Sequence, residues 1–341
     1  MHGLLDVFGR PSAQSRRRRA DSPAVWSSHM APLFGYHMPN FSFAEVPPEG
    51  LFDHLTRLTL AAEAAGFDLV TVMDHFYQIR GVGPEGEPML EAYTTLAGLA
   101  ARTERVRLGT LVTGVTYRNP ALLAKMVTNL DVISRGRAIL GIGAAWNADE
   151  HHGYGFDFPP VGERMDRLDE ALRICKLMFA EERPSFQGRF YRIERAINHP
   201  APVQPGGPRI LVGGGGEKRT LRLAARYADM THWFVTSTDE LKHKSEVLAR
   251  HCEAEGRDPS TILRTVGAPV TLVADEREAR MLAERMPPER LAGARPMLPQ
   301  QAAEVLGEWM AAGAQGFTFR NPNLSTPELL EVAGELKKLV S

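Results

Sequence analysis

Eight short apolar segments recur along the chain, and a stretch with helical periodicity follows each of them. In the first such stretch Leu51, Leu55, Leu58 and Ala62 fall on one face of a helix. Strands that alternate with helices pair in parallel and are covered by those helices. The predicted strands are Leu33–His37, Leu69–Met73, Val106–Val112, Ala138–Ile142, Arg209–Val212, Asp229–Val235, Thr265–Val273 and Gly316–Arg320.

Eight strand–helix units can close into a (β/α)₈ barrel, and the length of the chain suits that architecture with insertions. We therefore predict an α/β protein with a single TIM barrel over residues 31–341. Long segments follow strands 2 and 4 and precede strand 5, namely Tyr77–Pro88, Asn147–Gly162 and Glu182–Pro208, the last with a hairpin at Phe186–Ile193. An open doubly wound sheet is the alternative, but no G-x-G-x-x-G fingerprint follows the first strand.

Composition narrows the possible partners. The formal net charge of −1 gives no global attraction to nucleic acid or to an anionic membrane, and no apolar run reaches the length of a membrane span. The two cysteines are isolated, which is typical of a reducing cytoplasm. Residues 1–30 carry five arginines against two aspartates, and we expect a disordered basic extension there.

The carboxyl ends of barrel strands carry the reactive groups in this architecture. Among the residues at these ends, His75 is the strongest candidate for proton transfer, since an imidazole titrates near neutrality. Asp74 precedes it as the second member of the candidate catalytic pair, and we expect it to orient the imidazole or a loop amide. His37, Tyr77 and Trp233 are candidates for substrate contact. Further aromatic residues near the predicted rim favour an apolar or aromatic substrate, and these are Tyr36, Phe41, Phe76 and Trp146.

A run of four glycines, Gly213–Gly216, lies between the fifth strand and the next helix. Glycine lets backbone N–H groups approach an anion closely, and the start of a helix adds partial positive charge. Lys218 could reach the same anion. The spacing differs from that of a nucleoside triphosphate loop, so we predict a site for another phosphate group, with a flexible turn as the alternative.

The segment Trp146–His152 contains two adjacent histidines, His151 and His152, which raises the question of a metal site. Neighbouring side chains point in different directions on a helix or a strand, and helical zinc sites use the H-E-x-x-H spacing. We predict no metal here. Trp146 is interpreted as a wall of the pocket, and the two histidines as packing residues.

Five segments in the expected order resemble the luciferase-like monooxygenase superfamily, and more closely its branch that uses the deazaflavin coenzyme F420. The resemblance covers Ala31–Leu339. Its segments are Ala65–Phe76, Arg107–Val115, Tyr117–Ala121, Gly141–Asn147 with Glu150, His151, Tyr154 and Gly155 after it, and Val212–Gly216.

The resemblance implies an oxidoreductase that transfers hydride between F420 and a small organic substrate, with His75 moving the accompanying proton. It implies that a bulge at Thr113, Gly114 and Val115 lies behind the deazaflavin ring. It implies phosphate contact for Gly213, Gly214 and Gly215. Their neighbours Val212 and Gly216 are expected to bind the cofactor too, and the positive charge of Lys218, independently of the resemblance, favours a place near the anionic tail. Trp146 and Asn147 are expected beside the ring, and a homodimer is expected from the family.

One departure concerns the substrate. The sugar-phosphate dehydrogenase of this family has an acid–base glutamate where this chain has Trp146. That difference argues against glucose-6-phosphate and leaves the proton partner of His75 unassigned. Three alternatives stay open: a flavin mononucleotide (FMN) monooxygenase that uses reduced flavin and oxygen, a barrel that binds a ligand without turnover and, last, a metal-dependent hydrolase barrel.

Overall fold

The computed structural model describes residues 31–286, 294–320 and 324–341. The expectation for residues 1–30 therefore lies outside the described part of the chain. The strands, in chain order, are β1 (Leu33–Met38), β2 (Leu69–Val72), β3 (Arg107–Thr110), β4 (Thr113–Gly114), β5 (Ala138–Gly143), β6 (Phe186–Gln187), β7 (Arg192–Ile193), β8 (Arg209–Gly213), β9 (Met230–Trp233), β10 (Leu263–Gly267), β11 (Val270–Leu272), β12 (Arg295–Met297) and β13 (Gly316–Arg320).

Helices follow the strands as the periodicity predicts. They are α1 (Leu51–Ala64), α2 (Ala92–Arg102), α3 (Pro120–Ile133), α4 (Ala148–Tyr154), α5 (Val161–Ala180), α6 (Thr220–Tyr227), α7 (Thr238–Ala254), α8 (Glu276–Arg285), α9 (Pro299–Ala311) and α10 (Pro327–Leu339). Local chemistry sets several of their starts: the side chains of Asn119 and Thr326 cap α3 and α10, and a proline occupies the next position in both.

The strands form a closed parallel barrel. The order around it is β1, β2, β3, β5, β8, β9, β10 and β13, with β4 continuing the third position against β5. Pairing of β3 with β5 on one side and of β13 with β1 on the other completes the ring. The predicted fold class is confirmed.

A layer of aliphatic side chains fills the interior of the barrel. Its members come from six strands and are all buried: Leu33, Leu69, Ile139, Leu211, Met230 and Leu263. The larger core lies between the strands and the helices, where Cys175 and Cys252 are buried as free thiols. Because the aliphatic layer closes the interior below the strand ends, open space is found at the carboxyl-terminal mouth.

The structure corrects two predicted strands. Val106–Val112 is shorter, since β3 ends at Thr110 and β4 resumes at Thr113. Thr265–Val273 is two strands: β10 belongs to the barrel, whereas β11 pairs with β12 in a separate two-stranded sheet. A continuous apolar run does not reveal such a change of partner, because both strands are buried.

The predicted insertions are present. Residues 73–91 follow β2 with little regular structure, α4 occupies the segment after β5, and β6 pairs with β7 in the antiparallel hairpin before β8. Within the described ranges no helix is long and apolar enough to cross a bilayer.

Candidate active site

A cavity of about 550 Å³ opens at the carboxyl ends of the strands and brings together many of the predicted site residues. We call it the larger cavity. The predicted residues that line it are His37, His75, Thr113, Gly114, Trp146, Gly213 and Gly214. Most of the remaining lining is apolar, including Met73, Val112 and Met165. A mostly apolar lining with a few convergent polar groups is typical of a small-molecule site.

His75 is held by a carboxylate that the sequence did not identify as its partner. Its Nδ1 atom lies 2.6 Å from Oε1 of Glu150, the third residue of α4, and the Glu150 side chain is fully buried. An ionised carboxylate only accepts, so Nδ1 carries the proton and donates it. The other nitrogen, Nε2, is then the atom that can exchange a proton with a bound molecule.

Glu150 is surrounded by donors. The backbone N–H of Phe76 donates to its Oε2 at 2.9 Å, and the Tyr117 hydroxyl donates to its Oε1. Burial by itself raises the pKa of Glu150, but the hydrogen bonds from His75, Tyr117 and Phe76 outweigh it and hold the pKa below its usual value. An ionised Glu150 therefore fixes the tautomer of His75.

Asp74 does not contact His75, contrary to the expectation that it orients the imidazole. It is 2% exposed and accepts two hydrogen bonds from Arg118, at 2.5 and 3.0 Å. The same guanidinium donates to Glu91 Oε1 at 2.7 Å. Asp74 therefore joins the end of β2 to the segment before α3, and the orienting role belongs to Glu150.

The third barrel strand is interrupted at Leu111 and Val112, between β3 and β4 and just before the predicted bulge, and we call residues 111–114 the bulge. A cis peptide bond joins Leu111 and Val112, immediately before the expected segment of Thr113, Gly114 and Val115. Thr113 is fixed by the hydroxyls of Tyr93 at 2.8 Å and Thr110 at 2.9 Å. Leu111, Val112, Thr113 and Gly114 line the larger cavity, whereas Val115 is buried and lies outside it.

The glycine segment reaches the cavity at its first two members. Gly214 has φ of +108°, a conformation that only glycine adopts without strain. A Cβ atom at Gly213 would lie 2.9 Å from a methyl group of Val112. Gly213, Gly214 and the Thr220 side chain at the start of α6 line the cavity, but Val212, Gly215, Gly216 and the exposed Lys218 lie outside its lining.

Three further predicted residues lie away from the lining. Tyr77 packs against Tyr154, with ring centroids 5.6 Å apart, and Asn147 caps α4 by accepting from Asp149 N–H. Trp233 is fully buried in the layer between strands and helices. Tyr36 and Phe41 are buried there too. Of the aromatic residues expected at the rim, Trp146 is the one that lines the larger cavity, and it contacts His75 edge-on at a centroid distance of 5.5 Å.

His232 and Phe234, the neighbours of Trp233, line the cavity instead. Side chains alternate between the two faces of a strand, so an error of one residue exchanges the core face for the barrel mouth. The alternation of side chains along Met230–Trp233 indicates which residues face the barrel interior. Met230 belongs to the aliphatic layer inside the barrel, and His232, two residues later, shares its face.

The predicted interpretation of His151 as a packing residue agrees with its contacts. Its Nδ1 lies 2.5 Å from the Asn147 carbonyl oxygen and its Nε2 lies 2.6 Å from the Thr116 hydroxyl, while His152 is exposed. In the part of the chain that the structure describes, no group of three or more histidine, cysteine or acidic side chains is arranged for a metal ion.

A smaller cavity of about 310 Å³ adjoins the larger one beside the ends of β9, β10 and β13. Its lining includes Val235, Val270, Leu272, Trp309, Phe319 and Leu324, and the two cavities share His37, Leu111, His232, Phe234 and Arg320. Burial and the nearby positive charge of Arg320 lower the pKa of His37 to about 3 and that of His232 to about 4. Both rings are therefore neutral at pH 7.

The fold and site together define a (β/α)₈ barrel with a ligand cavity at the strand ends and a histidine–carboxylate pair facing it. The sequence places it in a particular family: the model for luciferase-like monooxygenases matches residues 33–338, and the chain belongs to that family.

Three relatives illustrate the range of similarity. An F420-dependent glucose-6-phosphate dehydrogenase of Kineococcus radiotolerans is 34% identical over 230 residues, a match that spans 66% of either chain. An enzyme of the same name from Microbacterium testaceum is 28% identical over 89% of this chain and 95% of its own length. An F420-dependent secondary alcohol dehydrogenase, solved with an F420–acetone adduct, superposes with a TM-score of 0.74 at 19% identity, over 92% of this chain and all of that one.

Proposed function

We propose that this protein is a coenzyme F420-dependent oxidoreductase that transfers hydride between F420 and a small organic molecule. The curated relatives at 34% and 28% identity carry F420 dependence in their names. The observation that carries the proposal is the His75–Glu150 pair at the edge of a cavity that also holds the bulge and the first glycines.

The residues present fit a deazaflavin. A planar ring needs an apolar face, which Leu111 and Val112 of the bulge and Met165 offer. A phosphate group needs a donor and room beside the backbone: the Thr220 hydroxyl offers the donor and Gly213 and Gly214 offer the room, while the Gly214 N–H itself donates to the His232 carbonyl oxygen at 3.2 Å. The bare backbone is required, because φ at Gly214 is positive and a side chain at Gly213 would meet Val112. When bound, F420 supplies the hydride chemistry, and the protein supplies orientation and proton transfer.

His75 is the residue that moves the proton. Glu150 holds its Nδ1–H, so Nε2 donates to or accepts from a substrate atom in the cavity, and the buried carboxylate stabilises the imidazolium that forms. The Tyr117 hydroxyl and the Phe76 amide keep Glu150 in place. Trp146 contacts the imidazole edge-on.

The proposed substrate is small and apolar or aromatic. The smaller cavity is lined largely by aliphatic and aromatic side chains. Such a surface favours apolar groups over a sugar phosphate. We expect no turnover of glucose-6-phosphate under conditions in which an apolar substrate is converted.

A homodimer and a cytoplasmic location stay predictions, to be tested by sedimentation and by cell fractionation.

Cofactor titration tests the proposal. The purified protein would be titrated with F420 and, separately, with FMN, and binding followed by quenching of cofactor fluorescence. We expect saturable binding of F420 and much weaker binding of FMN. Tight binding of FMN without binding of F420 would contradict the proposal and would favour the monooxygenase alternative.

A further inference from the structure

The wall shared by the two cavities contains an imidazole whose hydrogen-bonding state is fixed by the strands. His232 Nδ1 lies 3.0 Å from the hydroxyl oxygen of Thr265. That hydroxyl donates its only proton to the carbonyl oxygen of Thr231, at 2.7 Å. Thr265 can therefore only accept from His232, so Nδ1 carries the imidazole proton.

A neutral imidazole with its proton on Nδ1 has a lone pair on Nε2. His232 is 2% exposed and lines both cavities, and its Nδ1 is occupied by the neighbouring strand. The ring therefore offers an acceptor, and no donor, to a molecule in the cavities. The positive charge of Arg320 favours this neutral state.

His37 makes a similar contact on β1. Its Nδ1 lies 2.9 Å from the Thr71 hydroxyl on the neighbouring strand, where either group can be the donor, and it is 5% exposed and lines the same two cavities. Burial and the charge of Arg320 keep it neutral as well. Two neutral imidazoles thus stand in the wall of a chamber that is otherwise mainly apolar.

We propose that the smaller cavity is the substrate chamber, and that it takes a compact apolar molecule bearing a hydroxyl group, which donates to Nε2 of His232. This inference rests on the proposed function, because it assigns the larger cavity to the cofactor. A buried acceptor that a ligand leaves unpaired is costly, so the chamber distinguishes a hydroxyl group from an ether or methyl group of the same shape.

Two probes that differ in one donor test the inference. Cyclohexanol can donate a hydrogen bond, and methoxycyclohexane cannot. Their affinities for the full-length protein, with and without saturating F420, would be measured by ligand-observed NMR titration. We expect cyclohexanol to bind about five- to tenfold more tightly, the usual effect of one additional hydrogen bond.

Thr265→Val removes the group that fixes the tautomer, and His232→Phe replaces the ring without its nitrogens. In both variants we expect the affinity ratio of the two probes to fall below about twofold, while binding of the ether is retained. Thr95→Val is the matched control, since Thr95 is a buried threonine on α2 that donates to the backbone of Glu91, and its ratio should stay at the wild-type value. The second variant keeps the test decisive if the first does not fold.

Equal affinity of the wild type for the two probes would overturn the inference, and so would failure of both probes to bind. F420 titration of the same samples separates this outcome from failure of the proposed function. Intact F420 binding without a preference for the hydroxyl would contradict only the role of His232, whereas absence of F420 binding would contradict the proposed function itself.

Discussion

The Glu150 carboxylate is buried, and a buried charge is stable only when hydrogen-bond donors surround it. One of its donors is the imidazole of His75, which lies at the edge of the larger cavity. Glu150 is therefore both a buried charge that needs donors and the partner of the proposed proton-transfer residue, His75. The sequence revealed His75 through its place at a strand end, but not Glu150, because a helical glutamate is usually exposed.

Replacement of Glu150 tests its positioning role. Glu150→Gln keeps the shape of the side chain but removes the charge that fixes Nδ1–H and stabilises the imidazolium. We expect kcat to fall by about 10²-fold, within the range of acid–base effects, and its acid limb to move to lower pH. F420 affinity should change less than about twofold. The kcat and its pH dependence would be measured on the best substrate from a small-molecule panel, with deazaflavin fluorescence as the readout.

The control for that variant is Asp149→Asn, which changes an exposed acid on the same helix. It should leave kcat and the pH profile unchanged. Wild-type rate and pH profile in Glu150→Gln would show that the contact with His75 has no part in proton transfer, whereas an altered rate with an unaltered profile would indicate a purely structural role.

At the scale of elements, the segments between strands and helices carry the site. The turn between β8 and α6 could be predicted from the sequence, because a run of glycines after an apolar strand is typical of a turn. Which glycines reach the cavity could not, since that depends on the path of the backbone at Gly214, where φ turns positive. Gly215 and Gly216 follow this turn and lie outside the lining.

Gly214→Ala should weaken cofactor binding. The left-handed backbone at this position costs an alanine about 1–3 kcal/mol, and relief of that strain moves the backbone that lines the cavity beside Thr220. We expect the Kd for F420 to rise about tenfold or more, a loss of roughly 1.4 kcal/mol in binding. Gly206→Ala is the control, because Gly206 also has positive φ but lies in the segment before β8, outside the cavity lining. Equal loss of F420 affinity in both variants would contradict the role of Gly214.

The Asp74–Arg118 pair joins two elements and should matter for stability. Asp74→Asn leaves a buried guanidinium with less charge compensation, and we expect a loss of roughly 3–5 kcal/mol in the free energy of unfolding. Arg192→Gln removes one partner of an exposed pair with Glu194 and should cost less than about 1 kcal/mol. Urea denaturation would measure both, and a similar small loss in the two variants would contradict the structural role of Asp74.

For the whole molecule, the order of eight strand–helix units was predictable, because hydrophobic periodicity and length constrain it strongly. The separate sheet of β11 and β12 was not, because a buried strand shows no preference for one partner over another in its sequence. The same limit applies to the barrel mouth, where the side chains of His232 and Arg320 meet only after the ring closes.

Two neutral buried histidines should make the protein sensitive to acid. Below pH 6.5 the unfolded chain takes up protons at these positions, whereas folded His37 and His232 do so only near pH 3 and 4, where their pKa values lie. The unfolded state then binds more protons, so the free energy of unfolding falls as the pH drops from 6.5 toward 4. Each histidine contributes at most about 1.4 kcal/mol per pH unit.

Urea denaturation at pH 7, 6 and 5 would measure this dependence. His232→Gln removes one of the two groups, and we expect a shallower loss of stability with falling pH than in the wild type. His152→Gln, which changes an exposed histidine, should follow the wild-type slope. An unchanged slope in His232→Gln would contradict a neutral His232 in the folded state.

The excursion of the chain from β10 into β11 places one wall of the smaller cavity on a sheet that is separate from the barrel. Val270 and Leu272 belong to that wall, whereas Val112, Gly213 and Gly214 line only the larger cavity. On the proposed division of the two cavities, we expect substitutions in the excursion to alter which molecules bind and to leave F420 binding unchanged. Libraries for directed evolution of new specificities would best be confined to that half of the rim.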